Sequence, residues 1–275
     1  MNTQDSTLAA RFFFRNCAVS LHLPGEMRIS RTLTPGPDDI ILDRDFTPAG
    51  FPSEFIGAQS AFYRFLDITS STNASLIKKM SAIGYMLCNK LARNGRRCRA
   101  FICVNEYNGS CANGKSLFTR AVAQFCNTVW ADAHMYSAIW LSPVTESTNL
   151  LILDDLPKRA EIRRLMNLCT DGWTVRRKAR PSLYIPNEKA PYLLLTTNRP
   201  VTKLRSDGSF RRRFGVLDFS SFFGPDNSIR DYFGHRMFRD WNSAQWHMFD
   251  NLMFYCVLEY LRSYDRGEDV FSIYE

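Results

Sequence analysis

The sequence predicts an α/β protein with a central, mostly parallel sheet flanked by helices, a preceding helical segment and a C-terminal helix. Three short apolar runs, at residues 99–104, 150–153 and 192–197, are rich in β-forming residues, and segments with helical spacing follow the first two. Each run also ends at a polar side chain, as expected where the carboxyl ends of parallel strands form one crevice. These observations favour a ligand site at that edge of the sheet.

The first apolar run leads into a loop with the sequence YNGSCANGKS, residues 107–116. Its last eight residues match the phosphate-binding pattern G-x-x-x-x-G-K-S/T, with a chance match as the alternative. Glycines let backbone N–H groups face an anion, the lysine reaches the β and γ phosphates, and the serine hydroxyl is a ligand for Mg²⁺. The predicted nucleotide-binding residues are Gly109, Asn113, Gly114, Lys115 and Ser116.

Carboxylate and amide side chains follow the second and third apolar runs. Asp154 is the expected carboxylate of the metal site, together with Ser116, and Asp155 is the expected base for the attacking water. Exchanged roles of the two aspartates are the alternative. Asn198 is expected to orient that water beside the γ phosphate, with a plain turn residue as the alternative.

The net charge of +8 is concentrated in one part of the chain. Residues 173–213 carry a net charge of +9, which leaves −1 for the remainder, and such a concentration is typical of a polyanion contact. Within this window, TVRRKARPS is expected to form the basic, proline-containing turn of a hairpin, with a merely solvated loop as the alternative. The predicted nucleic-acid contacts are Arg176, Arg177, Lys178 and Arg180.

A second basic cluster, SFRRRF, precedes a further β-like run. Arg213 or Arg212 is expected to stabilise the charge that develops on a transferring phosphoryl group, often from a neighbouring subunit. A nucleic-acid or solvent contact of these arginines is the alternative.

The remaining segments are expected to form an irregular N-terminal arm or cap (1–54), a helical lead-in (55–98), the core (99–223) and a C-terminal helical segment (224–275). Eight scattered cysteines without a C-x-x-C pair are expected to be reduced and mostly buried. No apolar stretch approaches the roughly 18 residues of a membrane helix, and no signal peptide is recognisable. We therefore expect a soluble, intracellular protein without a membrane partner.

The order of these motifs resembles superfamily 3 helicases, the ring-forming AAA+ ATPases of viruses, plasmids and phages, including the helicase part of poxvirus-type primase-helicases. The resemblance covers about residues 55–223. FICVNEYNGSCANGKS is similar to the family's Walker A motif, LLILDD to its Walker B motif, and the stretch from DGWTV to TTN to its basic hairpin and motif C. SFRRRF lies where the family has its arginine finger.

The resemblance implies a P-loop NTPase fold of the AAA+ type and an ATP-dependent DNA helicase or translocase that uses ATP and Mg²⁺ as a hexameric ring. Asn198 would be sensor 1, and residues 176–178 would reach into a channel that holds single-stranded DNA, with RNA as the alternative. The setting would be replication of a virus, phage or mobile element, in the cytoplasm or a host nucleus.

We expect the 275 residues to leave no room for the primase or nickase domain that often precedes this module, so its loading onto DNA is unexplained. A primase or origin-binding protein is a candidate partner, and the sequence leaves open whether one exists. Two other functions stay open at this point. One is a P-loop ATPase that remodels or packages a nucleoprotein without unwinding, and the other is a nucleic-acid-binding module that uses ATP only for assembly.

Overall fold

A computed structural model of the chain describes residues 7–36, 39–49, 60–88, 100–106, 112–132, 141–157, 162–198, 201 and 205–273. The chain folds into two compact units, one of Arg93–Ser221 and one of Met1–Ala92 together with Phe222–Glu275. Within the described ranges, no helix has both the length and the apolar character needed to cross a membrane. The four segment boundaries expected from the sequence remain predictions.

The strands, in chain order, are β1 (Leu8–Phe14), β2 (Ala18–His22), β3 (Glu26–Ser30), β4 (Ile40–Leu42), β5 (Ala100–Asn105), β6 (Thr128–Asp132), β7 (Leu150–Leu156), β8 (Trp173–Arg177), β9 (Arg180–Ile185), β10 (Tyr192–Thr197) and β11 (Phe214–Phe219). The α-helices are α1 (Ala61–Ile68), α2 (Asn73–Leu87), α3 (Lys115–Ala123), α4 (Gly208–Arg211), α5 (Ile229–Phe233), α6 (Ser243–Asp265) and α7 (Val270–Ile273). Within the described residues, 3₁₀-helices cover Ile162–Cys169 and Asn187–Lys189.

The unit of Arg93–Ser221 is built on a five-stranded, all-parallel sheet with the strand order β11-β5-β10-β7-β6. Strand β10 is buried along its whole length, and β5 and β7 are buried except near their carboxyl ends. Such continuous burial is typical of parallel strands with both faces covered. Phe118 of α3 packs edge-on against Phe219 of β11, with ring centroids 5.8 Å apart. The predicted α/β fold with a parallel sheet flanked by helices is confirmed.

Two elements of this unit differ from the sequence-based expectation. The helical segment expected after the phosphate-binding pattern ends at Ala123. Thr128 begins β6, because the residues from Thr128 onward are β-formers that pair in parallel with β7. The segment expected as an α-helix after β7 is a 3₁₀-helix. Its buried Ile162 and Leu165 lie three residues apart, a spacing that places them on one face of either helix type.

The other unit contains a four-stranded sheet with the order β3-β2-β1-β4. The expectation of an irregular arm is therefore wrong for the described part of residues 1–54. Turn-rich groups dominate the sequence pattern there, but β1 and β2 are short, mostly buried strands. Phe12 and Phe14 of β1 pack on Phe254 of α6, with centroid distances of 5.4 and 5.9 Å, and this burial stabilises the sheet.

A buried ion pair links the segment after β4 to α6. Arg44 Nη2 lies 2.6 Å from Asp250 Oδ1, and the Asp250 side chain is completely buried. The guanidinium also lies over the Trp246 ring, 4.3 Å from its centroid. Burial raises the pKa of Asp250, while Arg44 acts in the opposite direction by stabilising the carboxylate.

The predicted helices around this sheet are present in their described parts, and the apolar stripe of α6 is packing surface, as expected. Six cysteines are described, and five of them are buried; Cys98 and Cys111 lie outside the described residues. Burial raises the pKa of the Cys88 thiol well above its usual range. The expectation of mostly buried cysteines is thus confirmed for the six, and their reduced state stays a prediction.

Candidate nucleotide site

The candidate site lies at the carboxyl ends of β5, β7 and β10, where α3 begins. Gly114 is the N-cap residue of α3 and has a φ of 95°, a left-handed conformation that glycine adopts without strain. Because Gly114 has no side chain, no side-chain cap competes for the first N–H groups of the helix. Gly109 lies outside the described residues. The described part of the loop therefore lies at the positive end of a helix dipole, where an anion is stabilised.

Lys115 is 7% exposed, and three amide side chains hold its ammonium group. Nζ donates hydrogen bonds to Oδ1 of Asn113 and Oδ1 of Asn198, each at 2.9 Å, and to Oδ1 of Asn105. Asn113 Nδ2 in turn donates to Asn105 Oδ1 at 2.7 Å. A buried cation is costly without such partners, so the amide oxygens stabilise the lysine in place. The network brings together Lys115, Asn113 and Asn198, as the sequence predicts.

Ser116 and Asp154 also lie side by side. Ser116 Oγ donates to Asp154 Oδ1 at 3.1 Å, and Thr196 Oγ1 donates to the same carboxylate oxygen at 2.5 Å. A hydroxyl and a carboxylate in contact are oxygen ligands of the kind that Mg²⁺ prefers. The residues present therefore fit the predicted magnesium site.

A bulge in β7 sets the direction of the two aspartates. Between the residue pairs Leu153–Leu195 and Leu156–Thr197, β7 has one more residue than β10. Asp155 accommodates the extra residue with a φ of 52°, a conformation that costs a non-glycine residue energy and is concentrated at functional sites. In a regular strand, successive side chains point to opposite faces, so the bulge explains how both carboxylates reach the end of β10.

Asp155 is exposed and contacts the end of β10 through two groups. Its backbone N–H donates to Thr196 Oγ1 at 2.7 Å, and its Oδ1 accepts a hydrogen bond from Asn198 Nδ2 at 2.9 Å. Asn198 therefore bridges Asp155 and Lys115, since its Oδ1 accepts from the lysine. The carboxylate expected to serve as the base (Asp155) and the amide expected to orient the water (Asn198) are therefore hydrogen-bonded to each other.

Sequence reasoning missed two residues of this site. Asn105 follows the apolar run of β5 just as Asp154 and Asn198 follow the apolar runs at the second and third strands, so the rule applied to those two runs would also have found it. Thr196 lies inside the apolar run YLLLTT and is 2% exposed. Threonine is a common strand residue, and its role becomes visible only once the register with β7 is known.

The predicted basic hairpin is present as β8 and β9. Its turn consists of Lys178 and Ala179, with Ala179 at a φ of 54°, whereas Pro181 lies in β9 rather than in the turn. Trp173 and Val175 are buried on one face of β8. Of the four predicted nucleic-acid contacts, three are exposed and Arg177 is half-buried; the exposed ones are Arg176, Lys178 and Arg180.

The two candidate finger arginines lie at the opposite end of the sheet. The carbonyl oxygen of Arg213 accepts a hydrogen bond from Ala100 N at the start of β5, whereas Asn105 at the end of β5 contacts the phosphate-loop lysine. These two points are separated by about 16 Å of strand. Arg212 is exposed, whereas Arg213 is half-buried and donates from Nη1 to the carbonyl oxygen of Ser209 at 3.1 Å. The structure does not bring either arginine into the chain's own site.

No protein-family model and no curated protein matches the chain. Solved structures similar to it include the A form apo structure of the NrS-1 C-terminal region, at 12% identity, a TM-score of 0.47 and coverage of 96% of this chain and 72% of that chain. They also include JCV helicase, at 12% identity and a TM-score of 0.39, where the match covers 78% of this chain and 67% of that chain. For a JCV helicase with a bound small molecule, the identity is 14%, the TM-score is 0.38, and the match covers 74% of this chain and 61% of that chain. At such identities and TM-scores the similarity does not assign a function. A functional proposal therefore rests on the side chains at the carboxyl end of the sheet.

Proposed function

We propose that the chain is an ATP-dependent DNA helicase or translocase of the superfamily 3 type. One observation carries the proposal: Lys115, Ser116, Asp154, Asp155 and Asn198 converge at the carboxyl end of an all-parallel sheet, beside a helix N-terminus. Cation, hydroxyl, carboxylate and amide are the groups needed to bind and hydrolyse a nucleoside triphosphate.

Lys115 has the geometry of a group that exchanges ligands when nucleotide binds. Three of its acceptors are neutral amide oxygens, whereas phosphate oxygens carry negative charge and add Coulombic attraction to the ammonium group. The ammonium would therefore transfer to the β and γ phosphates. Asn198 would then lose one partner and keep its contact with Asp155, which leaves its oxygen available to a water molecule.

Asp155 is the proposed base, because it is exposed and next to Asn198. In this proposal, Asp155 accepts a proton from the attacking water while the Asn198 amide holds that water in line with the γ phosphate. Ser116 and Asp154 would hold Mg²⁺, which when bound neutralises charge on the phosphates. Thr196 orients Asp154 through the hydrogen bond to its carboxylate.

The basic hairpin supports nucleic acid as the polymer that the protein would move along or unwind with the energy of ATP hydrolysis. Residues 173–185 contain four basic side chains and no acidic one. Charges on a hairpin tip must face water or an anion, because burying them unpaired costs several kcal/mol each. We propose single-stranded DNA as that anion, with a hexameric ring around it, in replication of a virus, phage or mobile element.

The deciding experiment compares DNA binding, unwinding and ATP hydrolysis in the Arg177→Ala/Lys178→Ala variant. Each lost phosphate contact should lower the log–log salt slope of single-strand binding by about 0.7. Unwinding should be lost, as should the stimulation of ATP hydrolysis by DNA. The matched control is Arg230→Ala/Arg239→Ala, which removes two exposed charges from the other unit.

An unchanged affinity and salt slope in the hairpin variant, combined with a fall in ATP hydrolysis, would contradict the helicase proposal. The basic hairpin would then serve nucleotide or subunit contacts, and an ATPase that remodels a nucleoprotein without unwinding would be favoured. Equal effects of the hairpin variant and the control variant would show that only overall charge matters.

A further inference from the structure

Tyr184 is an exposed aromatic side chain on the basic hairpin. It lies on β9 directly opposite Thr174 of β8, and it is 60% exposed. The next residue, Ile185, is buried, so the alternation along β9 places Tyr184 on the outer face of the hairpin. An aromatic ring at this exposure gains little from packing within its own chain.

The ring is nevertheless held in one orientation. Tyr184 Oη donates a hydrogen bond to the carbonyl oxygen of Asp171 at 3.1 Å. A Cβ atom added to Gly172 would lie 2.8 Å from Oη and 3.1 Å from Cζ of Tyr184, so the edge of the ring rests against a residue that must lack a side chain. A ring that is fixed before binding loses less conformational entropy when a ligand stacks on it.

The outer face also carries positive charge. Arg176 lies two residues after Thr174 on β8 and is exposed, at the register shift between Val175 and Arg177. Lys178 and Arg180 are exposed nearer the turn. An exposed ring beside exposed cations is the combination that binds bases and phosphates of an unpaired strand.

We propose that Tyr184 is a stacking platform for one base of a single-stranded nucleic acid whose phosphates contact the basic residues of the hairpin. This inference rests on the proposed function, because it needs nucleic acid at the hairpin. The basic side chains of the hairpin account only for contacts with phosphates. The stacking platform adds a contact with a base. Duplex DNA, whose bases are already stacked, should gain nothing from Tyr184.

The test measures binding of the full chain to a fluorescent single-stranded oligonucleotide and to the same backbone with abasic positions. Tyr184→Leu should weaken binding of the normal strand by about 5- to 150-fold, the range expected for loss of one base–aromatic stack. Its salt slope should equal that of the wild type, because no phosphate contact is lost. Binding of the abasic strand should be the same in both proteins.

Tyr184→Phe separates stacking from structure, because it keeps the ring and removes only the hydrogen bond to Asp171. It should bind the normal strand nearly as tightly as the wild type, whereas a loss equal to that of Tyr184→Leu would overturn the stacking role. If Tyr184→Leu fails to fold, the wild type still has to bind the abasic strand more weakly than the normal one.

The outcomes distinguish this inference from the function on which it rests. A flattened salt slope in Arg177→Ala/Lys178→Ala together with wild-type binding by Tyr184→Leu would overturn the stacking platform and leave the helicase proposal standing. Wild-type binding by both variants would overturn both.

Discussion

Thr196→Val removes one hydroxyl and keeps the shape of the side chain. That hydroxyl donates to Asp154 Oδ1 at 2.5 Å and accepts from the backbone N–H of Asp155 at 2.7 Å. Valine is a good strand former, so β10 should keep its conformation. The substitution therefore tests whether the bulge of β7 and the direction of the Asp154 carboxylate depend on this one atom.

The two lost hydrogen bonds set the expected magnitude. A hydrogen bond to a charged group contributes about 1.5–3 kcal/mol, and an unsatisfied N–H that is only partly buried adds a cost near the lower end of about 1–3 kcal/mol. We expect a loss of about 2.5–4 kcal/mol in the free energy of unfolding. By analogy with residues that orient metal ligands, ATP hydrolysis and Mg²⁺ affinity should fall about 10- to 100-fold.

The assay is ATP hydrolysis titrated with Mg²⁺, together with denaturant unfolding of the same preparation. Thr197→Val is the matched control: it is the next residue of β10, it is also fully buried, and its hydroxyl donates to the carbonyl oxygen of Leu156 at 3.1 Å. Its stability should fall, but its Mg²⁺ dependence should stay that of the wild type. Equal Mg²⁺ dependence of the two variants would refute the orienting role of Thr196.

Three further predictions concern the base, the arginines and the buried ion pair. Asp155→Asn should bind ATP with Mg²⁺ yet release phosphate at least about 10²-fold more slowly, because an amide cannot accept the proton; lost binding would instead indicate that the two aspartates have exchanged roles. Mixing Arg212→Ala protein with Lys115→Ala protein should restore part of the hydrolysis that each lacks, and no recovery in verified mixed assemblies would count against action on a neighbour. Arg44→Ala should lower the free energy of unfolding by about 3–5 kcal/mol, because Asp250 stays buried without its partner. Since the pKa of Asp250 is raised in the folded state, denaturant unfolding should show a smaller loss in acidic than in neutral buffer, and an equal loss at both would contradict this.

Strand-end residues of the core could be predicted because parallel strands impose one rule on all of them. A run of apolar residues marks a strand buried on both faces, and its polar end marks the crevice. That rule located Asp154, Asp155 and Asn198 from the sequence, and the structure brings them within hydrogen-bond distance of their neighbours. The same rule overlooked β6, because its residues continue the apolar spacing of α3.

Other features depend on pairing between segments that are distant in the sequence. The spacing of apolar residues within one segment does not show which segments pair. The bulge at Asp155 exists because β7 and β10 differ by one residue over a short length, and neither strand shows this alone. The four-stranded N-terminal sheet also depends on such pairing. Its strand β4 has only three residues and joins the sheet by pairing with β1. Short strands flanked by turn-forming residues look irregular until their partners are known.

The position of the arginines limits how hydrolysis could be organised. Arg212 precedes β11 at the amino end of the sheet, whereas Asn105 and Lys115 meet at the carboxyl end. The intervening length of β5 is about 16 Å, which is longer than an arginine side chain. If Arg212 stabilises charge on a phosphoryl group, that nucleotide must therefore be bound by a second copy of the chain. An isolated copy would carry the lysine, the aspartates and the asparagine but lack the arginine, so ATP turnover should rise steeply with protein concentration as copies associate.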